Sequence, residues 1–368
     1  MTAVPVRPLR ARPINKHRTE GLPLLMTDLS IVVPAYDEAA SISRFLSELD
    51  AELSRAGFTD SEIIVVDDGS SDGTGDLASR VATAVPVRVL RQRNQGRFEA
   101  RRVGIEAAAY DRTMLIDCGL TLRAGSMSFL REQTEAHPER EIWNGHVDIE
   151  VRGNPYAGFW SAIVRIFWGA YLRRPTLTSF GLDDFDRYPK GTGLFLAPTA
   201  ALRAAVGAFA LEGIESRYAS DDTRLIRSLL SASPRIWISP EFGCSYGARS
   251  TFRQFASHST FRGTTFVDGY WASPSLIGSA LRTFAWLAPV LGVACAVGLV
   301  LAPAAMLTAL AALLVVGVLV AFGLGLQSGS TLLVSTEFAV LLPVFAAAFG
   351  LGAARGLLLR PGRRGSRR

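Results

Sequence analysis

The sequence predicts an α/β fold, a mostly parallel sheet covered by helices, followed by C-terminal transmembrane helices. Two observations predict it. Between residues 29 and 117, short runs of apolar β-formers alternate with segments of helical period, the pattern of parallel strands buried on both faces. Residues 283–336 then run for 54 positions without Asp, Glu, Lys, Arg or His. A soluble helix needs a charged face, whereas about 20 apolar residues suffice to cross a bilayer.

Each element follows from its own residues. Residues 29–35 (LSIVVPA) read as a buried strand, and 39–56 as a helix with acids early. Residues 62–67 (EIIVVD) form a second buried strand, 72–81 a short helix, 87–91 a third strand, 98–109 a helix and 113–117 (TMLID) a fourth strand. Residues 142–151 read as a further strand, 190–199 as a turn and strand, and 223–230 as a helix. Residues 158–172 (GFWSAIVRIFWGAYL) are aromatic-rich, with one internal charge at Arg165, and suit either a core helix or one lying in a membrane interface. Residues 250–269 mix Phe with Arg, as a segment at the membrane surface should. The apolar region divides into spans at 283–301, 304–326 and 332–354, broken by Pro303 and the polar stretch 327–331. Three spans are apparent, within a range of two to four. This organises the chain as a basic extension (1–25), an α/β domain (26–249), an interface segment (250–282), transmembrane helices (283–354) and a basic tail (355–368).

Charge placement weighs against one class of function. The chain of 368 residues carries +6, but 1–25 holds five Lys/Arg against one acid and 355–368 holds six Arg and no acid. Removing a +4 and a +6 end leaves the body at −4. Nucleic-acid recognition wants a basic face on the folded domain, and here the basicity belongs to the two ends instead, which takes away most of the support for that reading. The extension lacks the apolar core of a signal peptide and reads as a disordered basic tail. Cys118, Cys244 and Cys295 match no metal spacing, and their odd number suits a reducing compartment.

In open α/β sheets ligands bind at the carboxyl ends of the strands. Three groups of residues fall there. Pro34-Ala35-Tyr36-Asp37-Glu38 follows the first strand; a Gly-rich dinucleotide turn is missing, and an aromatic ring with two carboxylates suits a base and a ribose. Taken alone, acids at a helix N-terminus explain it as well. Asp67-Asp68-Gly69-Ser70-Ser71-Asp72-Gly73-Thr74 follows the second strand. Adjacent carboxylates are costly there unless they meet donors or a cation, and Ser71 or Asp72 also suits a helix cap. Asp117 ends the fourth strand, and further on Asp221-Asp222-Thr223 opens a helix, where a plain N-cap is the simpler account. Asp183, Asp184 and Asp186 read as a solvated loop, and His137, His146 and His258 have no ligand spacing.

Together these segments resemble the inverting family 2 glycosyltransferases of the GT-A fold. That family carries P-x-x-N/D-E, V-D-D-G-S-x-D-x-T and N-x-G-x-x-x-A-R-x-x-G-I, which here read Pro34 to Glu38, Val66 to Thr74, and Asn94 to Ile105. The resemblance implies that Pro34, Tyr36 and Glu38 surround the base and ribose of a nucleotide-sugar donor. It also implies that Asp68 accepts from the base and that Arg97 lies near the diphosphate. Asp222 takes the catalytic place of the family's E-D-T-x-L segment, as the base that removes the acceptor hydroxyl's proton.

One motif departs from the family. Its D-x-D-D metal motif reads Asp117-Cys118-Gly119-Leu120 here, so Asp117 is the sole acid left to hold Mg²⁺ or Mn²⁺ with the diphosphate. Either the metal stays on Asp117 with help from elsewhere, or Arg groups stabilise the leaving diphosphate, or catalysis has been lost. The resemblance implies a membrane-anchored inverting hexosyltransferase in cell-envelope glycan assembly, with a lipid-linked or polysaccharide acceptor and membrane lipids as partners. A polyprenyl-phosphate glycosyltransferase and an inactive membrane-bound scaffold are the alternatives. Nucleotide sugars place the catalytic domain in the cytoplasm at the cell membrane. Three spans would then put the Arg-rich tail outside, against its preference for the cytoplasmic side. Arg262 sits where processive relatives have Q-x-x-R-W, which this chain lacks, and suits either a diphosphate or a lipid phosphate.

Overall fold

The computed structural model describes residues 27–210, 221–271 and 275–359. The expected extension at 1–25 and positions 360–368 of the tail lie outside them. The first half follows the expected alternation: β1 (Ser30–Ala35), α1 (Ile42–Arg55), β2 (Glu62–Asp67), α2 (Thr74–Arg80), β3 (Val87–Arg91), α3 (Arg97–Ala107) and β4 (Arg112–Ile116). Next come β5 (Leu120–Leu122), α4 (Ser126–Ala136), β6 (Trp143–Glu150), α5 (Pro155–Leu172), β7 (Thr178–Phe180), β8 (Leu194–Pro198), α6 (Thr199–Ala210), α7 (Asp221–Ala232) and β9 (Ile236–Gly247). The chain continues with α8 (Phe252–Tyr270), α9 (Leu276–Leu301), α10 (Pro303–Gln327) and α11 (Leu332–Leu358).

The strands form one sheet in the order β3-β2-β1-β4-β8-β6-β9-β5, with β7 on β9. β1, β2, β3 and β4 pair in parallel, whereas β8 is antiparallel to both β4 and β6. Period-two alternation divides the core. Ile31, Val33, Ile63 and Val65 pack under α1 and α4, while Val32, Ile64 and Val66 pack under α3, α6 and α7. Gly104 is required in α3, because a Cβ there would collide with Val32. That glycine brings the start of α3 close to the sheet edge where the site forms.

The aromatic segment α5 starts on an Asn154 cap, whose side chain accepts from the N–H of Tyr156 and Ala157. It packs beside the apolar helices. Phe159 and Ala162 are buried against Phe255 of α8 and Phe338 and Ala339 of α11. α8 and α11 approach backbone to backbone through Gly263, Gly352 and Gly356, and Thr264 Oγ1 donates to the Gly352 carbonyl at 3.1 Å. Among the described residues three helices, α9, α10 and α11, are long and apolar enough to cross a membrane. α9 begins at Leu276, seven residues before the charge-free run, because Arg282 lies within its second turn.

Candidate active site

The site forms where the strand order reverses, between β1 and β4. The β1–β2 ladder runs to Ala35↔Asp67, but the β1–β4 ladder ends at Val32↔Leu115. Beyond it the β1–β4 pairing stops, and in open α/β sheets the ligand crevice lies at the carboxyl ends of the strands at such a switch point. Pro34 is buried within β1 and shapes this crevice from inside the sheet. Tyr36, 50% exposed, stands at its rim. Glu38 receives a hydrogen bond from Ser41 Oγ at 2.6 Å, and Ser41 Oγ lies 3.7 Å from Cys118 Sγ at the end of β4. Burial and the charge of Glu38 push the Cys118 thiol up to about 12, so it stays protonated.

The two acidic loops after β1 and β2 fasten to each other. Asp37 N–H donates to Ser70 Oγ at 3.0 Å, Glu38 N–H to Thr74 Oγ1 at 2.8 Å and Ala39 N–H to Asp72 Oδ2 at 2.9 Å. In return, Asp37 Oδ1 accepts from Ser71 N–H at 2.9 Å. Asp37 has φ +52°, the one positive φ on a non-glycine among the described residues, and the reciprocal bonds hold it there. Asp72 Oδ1 also accepts from Thr74 N–H at 3.0 Å, so its carboxylate ties the start of α2 to the Tyr36 loop.

Asp68, expected to face the base, is buried and anchors the loop before α3. Its Oδ1 accepts from Gln92 Nε2 at 2.7 Å and Gln95 N–H at 2.9 Å, and its Oδ2 from Gly96 N–H at 2.8 Å. This fixes where α3 begins and therefore where Arg97, its first residue, points.

Arg97 and Arg101 are one helical turn apart and reach the same two carboxylates. Arg101 Nη2 donates to Asp117 Oδ1 at 2.6 Å, and its Nη1 to Asp222 Oδ1 at 3.1 Å. Arg97 Nη1 lies 3.6 Å from Asp117 Oδ2, and its Nη2 3.8 Å from Asp222 Oδ2. The Arg101 side chain is 3% exposed and that of Arg97 45%, so one guanidinium is built in and the other faces the crevice. Asp222 lies inside the first turn of α7, not at a cap, and Thr192 Oγ1 also donates to its Oδ1. Burial favours the protonated form of Asp222. The charges of Arg97 and Arg101, the Thr192 hydrogen bond and the charge of Arg262 outweigh it and hold the carboxyl below the ordinary range.

These contacts bear on the expected cation. Asp117 is already engaged by two guanidiniums, Leu120 is buried in β5 opposite Tyr246, and Gly119 offers no donor side chain. Among the described residues no three His, Cys, Asp or Glu side chains converge as a metal site. Two carboxylates already paired with the same two guanidiniums do not fit a hard divalent cation.

α8 reaches over the crevice. Arg262 Nε lies 3.3 Å from His258 Nε2, and the His258 ring meets Trp160 of α5 edge-on at 5.2 Å. Burial, then Arg262, Arg249 and Arg97, push His258 down to about 3, so it is neutral. The remaining acids stay apart from the site: Asp183 and Asp184 face Arg235, and Asp186 faces Lys190. Asp221, beside Asp222, has no described side chain. Arg101 and Thr192 were not assigned a role from sequence. Arg101 is the Arg of the Asn94 to Ile105 motif, which was the available signal for it; Thr192 carried none.

Residues 30–125 match the family model of glycosyl transferase family 2. An undecaprenyl-phosphate 4-deoxy-4-formamido-L-arabinose transferase of Aeromonas hydrophila is 36% identical over 95 residues, 25% of this chain and 29% of that protein. An uncharacterized glycosyltransferase, EpsJ of Bacillus subtilis, is 38% identical over 81 residues, 22% of either chain. The chain thus spans less than a third of the length of these curated relatives. Among solved structures, the mannosyltransferase PcManGT from Pyrobaculum calidifontis, in complex with GDP-Man and Mn²⁺, superposes with a TM-score of 0.57. The match covers 92% of this chain and 89% of that one at 15% identity, a likeness of fold. With the motif segments, the sheet order and the three apolar helices in agreement, residues 30–125 are similar to glycosyl transferase family 2, and the chain has a GT-A fold.

Proposed function

We propose that the protein is a membrane-anchored inverting glycosyltransferase that moves a sugar from a nucleotide-diphosphate donor to a lipid-linked acceptor in cell-envelope glycan assembly. The observation that carries this reading is the convergence of Arg97, Arg101, Asp117 and Asp222 at the switch point, directly beside the apolar platform of α5, α8 and α11. Tyr36 and Glu38 border the nucleoside. Arg97 faces the diphosphate and meets the charge that grows on it as the anomeric bond breaks, with the buried Arg101 holding Asp117 and Asp222 behind it. The acceptor oxygen attacks the anomeric carbon from the opposite face, and its proton passes to Asp222. No step here requires a metal. The catalytic domain faces the cytoplasm, where nucleotide sugars are made, and the acceptor arrives along the membrane.

A second reading has its own support. Asp222, held ionised by its guanidiniums, is a weak base, and a polyprenyl-phosphate acceptor needs none because its nucleophile is already an anion. The undecaprenyl-phosphate transferases among the relatives point the same way. Nucleotide release by the full-length protein in detergent, screened over UDP-, GDP- and dTDP-sugars, tests both. Loss of release in Asp222→Asn with a hydroxyl acceptor supports the first reading. Retention in that variant with polyprenyl phosphate supports the second. Equal background in both proteins with every donor and acceptor would favour an inactive scaffold and overturn both.

A further inference from the structure

We infer that α9 and α10 enter the membrane from the catalytic domain's side as a hairpin and return to that side, and that α11 lies along the membrane surface without crossing it. By length and composition all three helices qualify as spans. Their packing separates them. Buried residues in α9 are confined to Gly278 and Leu281 at its start, and Leu281 packs with Val267 at the end of α8. Buried residues in α10 are confined to Ala321 and Gly325 near its end, where Ala321 and Phe322 join the Phe159 cluster. Both ends of the hairpin therefore sit on the folded domain, while its middle is exposed apolar surface. At about 1.5 Å per residue, each arm is long enough to reach across a hydrocarbon core.

α11 behaves otherwise. Its buried residues lie toward both ends, Val334 to Ala339 and Gly352 to Gly356, and Leu341, Leu342, Val344 and Phe345 between them are partly buried against the domain. The first half packs on α5: Phe159 meets Phe338 at 5.4 Å and Phe345 at 5.0 Å, and Glu337 fills the space left by Gly158. The second half runs beside α8, with Thr260 against Gly352, Phe266 against Phe349 at 5.4 Å and Thr264 against Gly356. Contact advances along both helices together, so α8 and the second half of α11 lie at one depth. α8 carries Arg253, His258, Arg262 and Asp268, and it reaches the crevice. Dragging those groups into hydrocarbon would cost about 2.5–3.5 kcal/mol for each Arg or Asp at the bilayer centre. A helix fastened along α8 therefore stays at the surface with it. The outward side of α11 exposes Leu333, Val340 and Leu351, while Arg355 stands in its last turn, an apolar face with a cationic end suited to anionic headgroups. This arrangement returns the Arg-rich 360–368 to the catalytic domain's side, where basic segments are retained.

The inference concerns placement and is independent of the transfer chemistry. Its test uses the full-length protein in cells and in vesicles of phosphatidylethanolamine and phosphatidylglycerol. Ser47→Cys on α1 and Ser366→Cys in the tail are probed with a membrane-impermeant maleimide from each side. Both are expected to label from the same side; labelling from opposite sides would overturn the inference. Spin labels at Val340→Cys and Leu351→Cys then report depth. An in-plane helix places the two within a few ångströms of one depth, whereas a crossing helix separates them by about 16 Å. A separation of that size would overturn the surface placement even if the tail labelled as expected.

Discussion

Arg101 Nη2 donates to Asp117 Oδ1 at 2.6 Å, and the same guanidinium reaches Asp222 at 3.1 Å, so one buried cation joins the end of β4 to the start of α7. Without it, two carboxylates would face each other at the sheet edge with only the more exposed Arg97 between them. Arg101→Met should destabilise the folded protein by about 3–5 kcal/mol, the usual cost of breaking a buried ion pair from one side. Arg101→Lys should fold, because charge is kept, but a single ammonium cannot serve both carboxylates with fork geometry. Nucleotide release by the lysine variant should fall about tenfold or more, measured beside a thermal melt that separates loss of activity from loss of fold.

If guanidiniums occupy the place of a cation, the donor site should be indifferent to chelators. Binding of UDP and GDP by titration calorimetry should change by less than about twofold between EDTA and millimolar Mn²⁺, because Arg97 and Arg101 already occupy both Asp117 and Asp222. Weakening by EDTA of about tenfold or more would show that a cation displaces Arg101 from Asp117.

The charges around Asp222 predict a pH signature. A general base acts when ionised, so activity falls as pH drops through its folded pKa. Burial opposes ionisation, but Arg97, Arg101 and Thr192 hold the pKa low, so the acid limb of kcat/KM should lie below the ordinary carboxylate range. Arg97→Gln removes one stabilising charge and should move that limb to higher pH by about one unit. The alkaline limb should stay in place. An acid limb that does not move would show that Asp222 is not the titrating group and would favour a phosphate acceptor.

Much of the fold was legible because its signals were local. β2 and β3 have the bounds expected from their apolar runs, and β1 and β4 differ by a residue at their ends. The unread elements depend on distant partners. β5 has three residues and exists through pairing with β9. β9 contains Pro240 and Gly243, and its register with β6 jumps from Gly145↔Ser239 to His146↔Gly243, which erases alternation. The acids of the site were visible as motifs, and their partners were not. Asp68 invited a ligand in sequence, while in the fold Gln92, Gln95 and Gly96 turn back to meet it. Three long apolar stretches read alike as spans, and the packing of the third on α5 and α8 is what distinguishes it from the others.

That use of Asp68 leads to a final prediction. Its three hydrogen bonds hold residues 92–96 and set the first turn of α3, and with it the position of Arg97. Asp68→Asn keeps the size but gives up one acceptor and adds a donor facing the N–H groups of the loop. Hydrogen bonds to a charged group contribute about 1.5–3 kcal/mol each, though a flexible loop recovers part of this by turning to water. The variant should therefore melt a few degrees lower and bind UDP or GDP about tenfold more weakly, with the greater effect on KM. Adding Arg97→Gln to Asp68→Asn should weaken nucleotide binding little further, because the first change has already misplaced that guanidinium. Full additivity of the two losses would show that Asp68 meets the nucleotide directly.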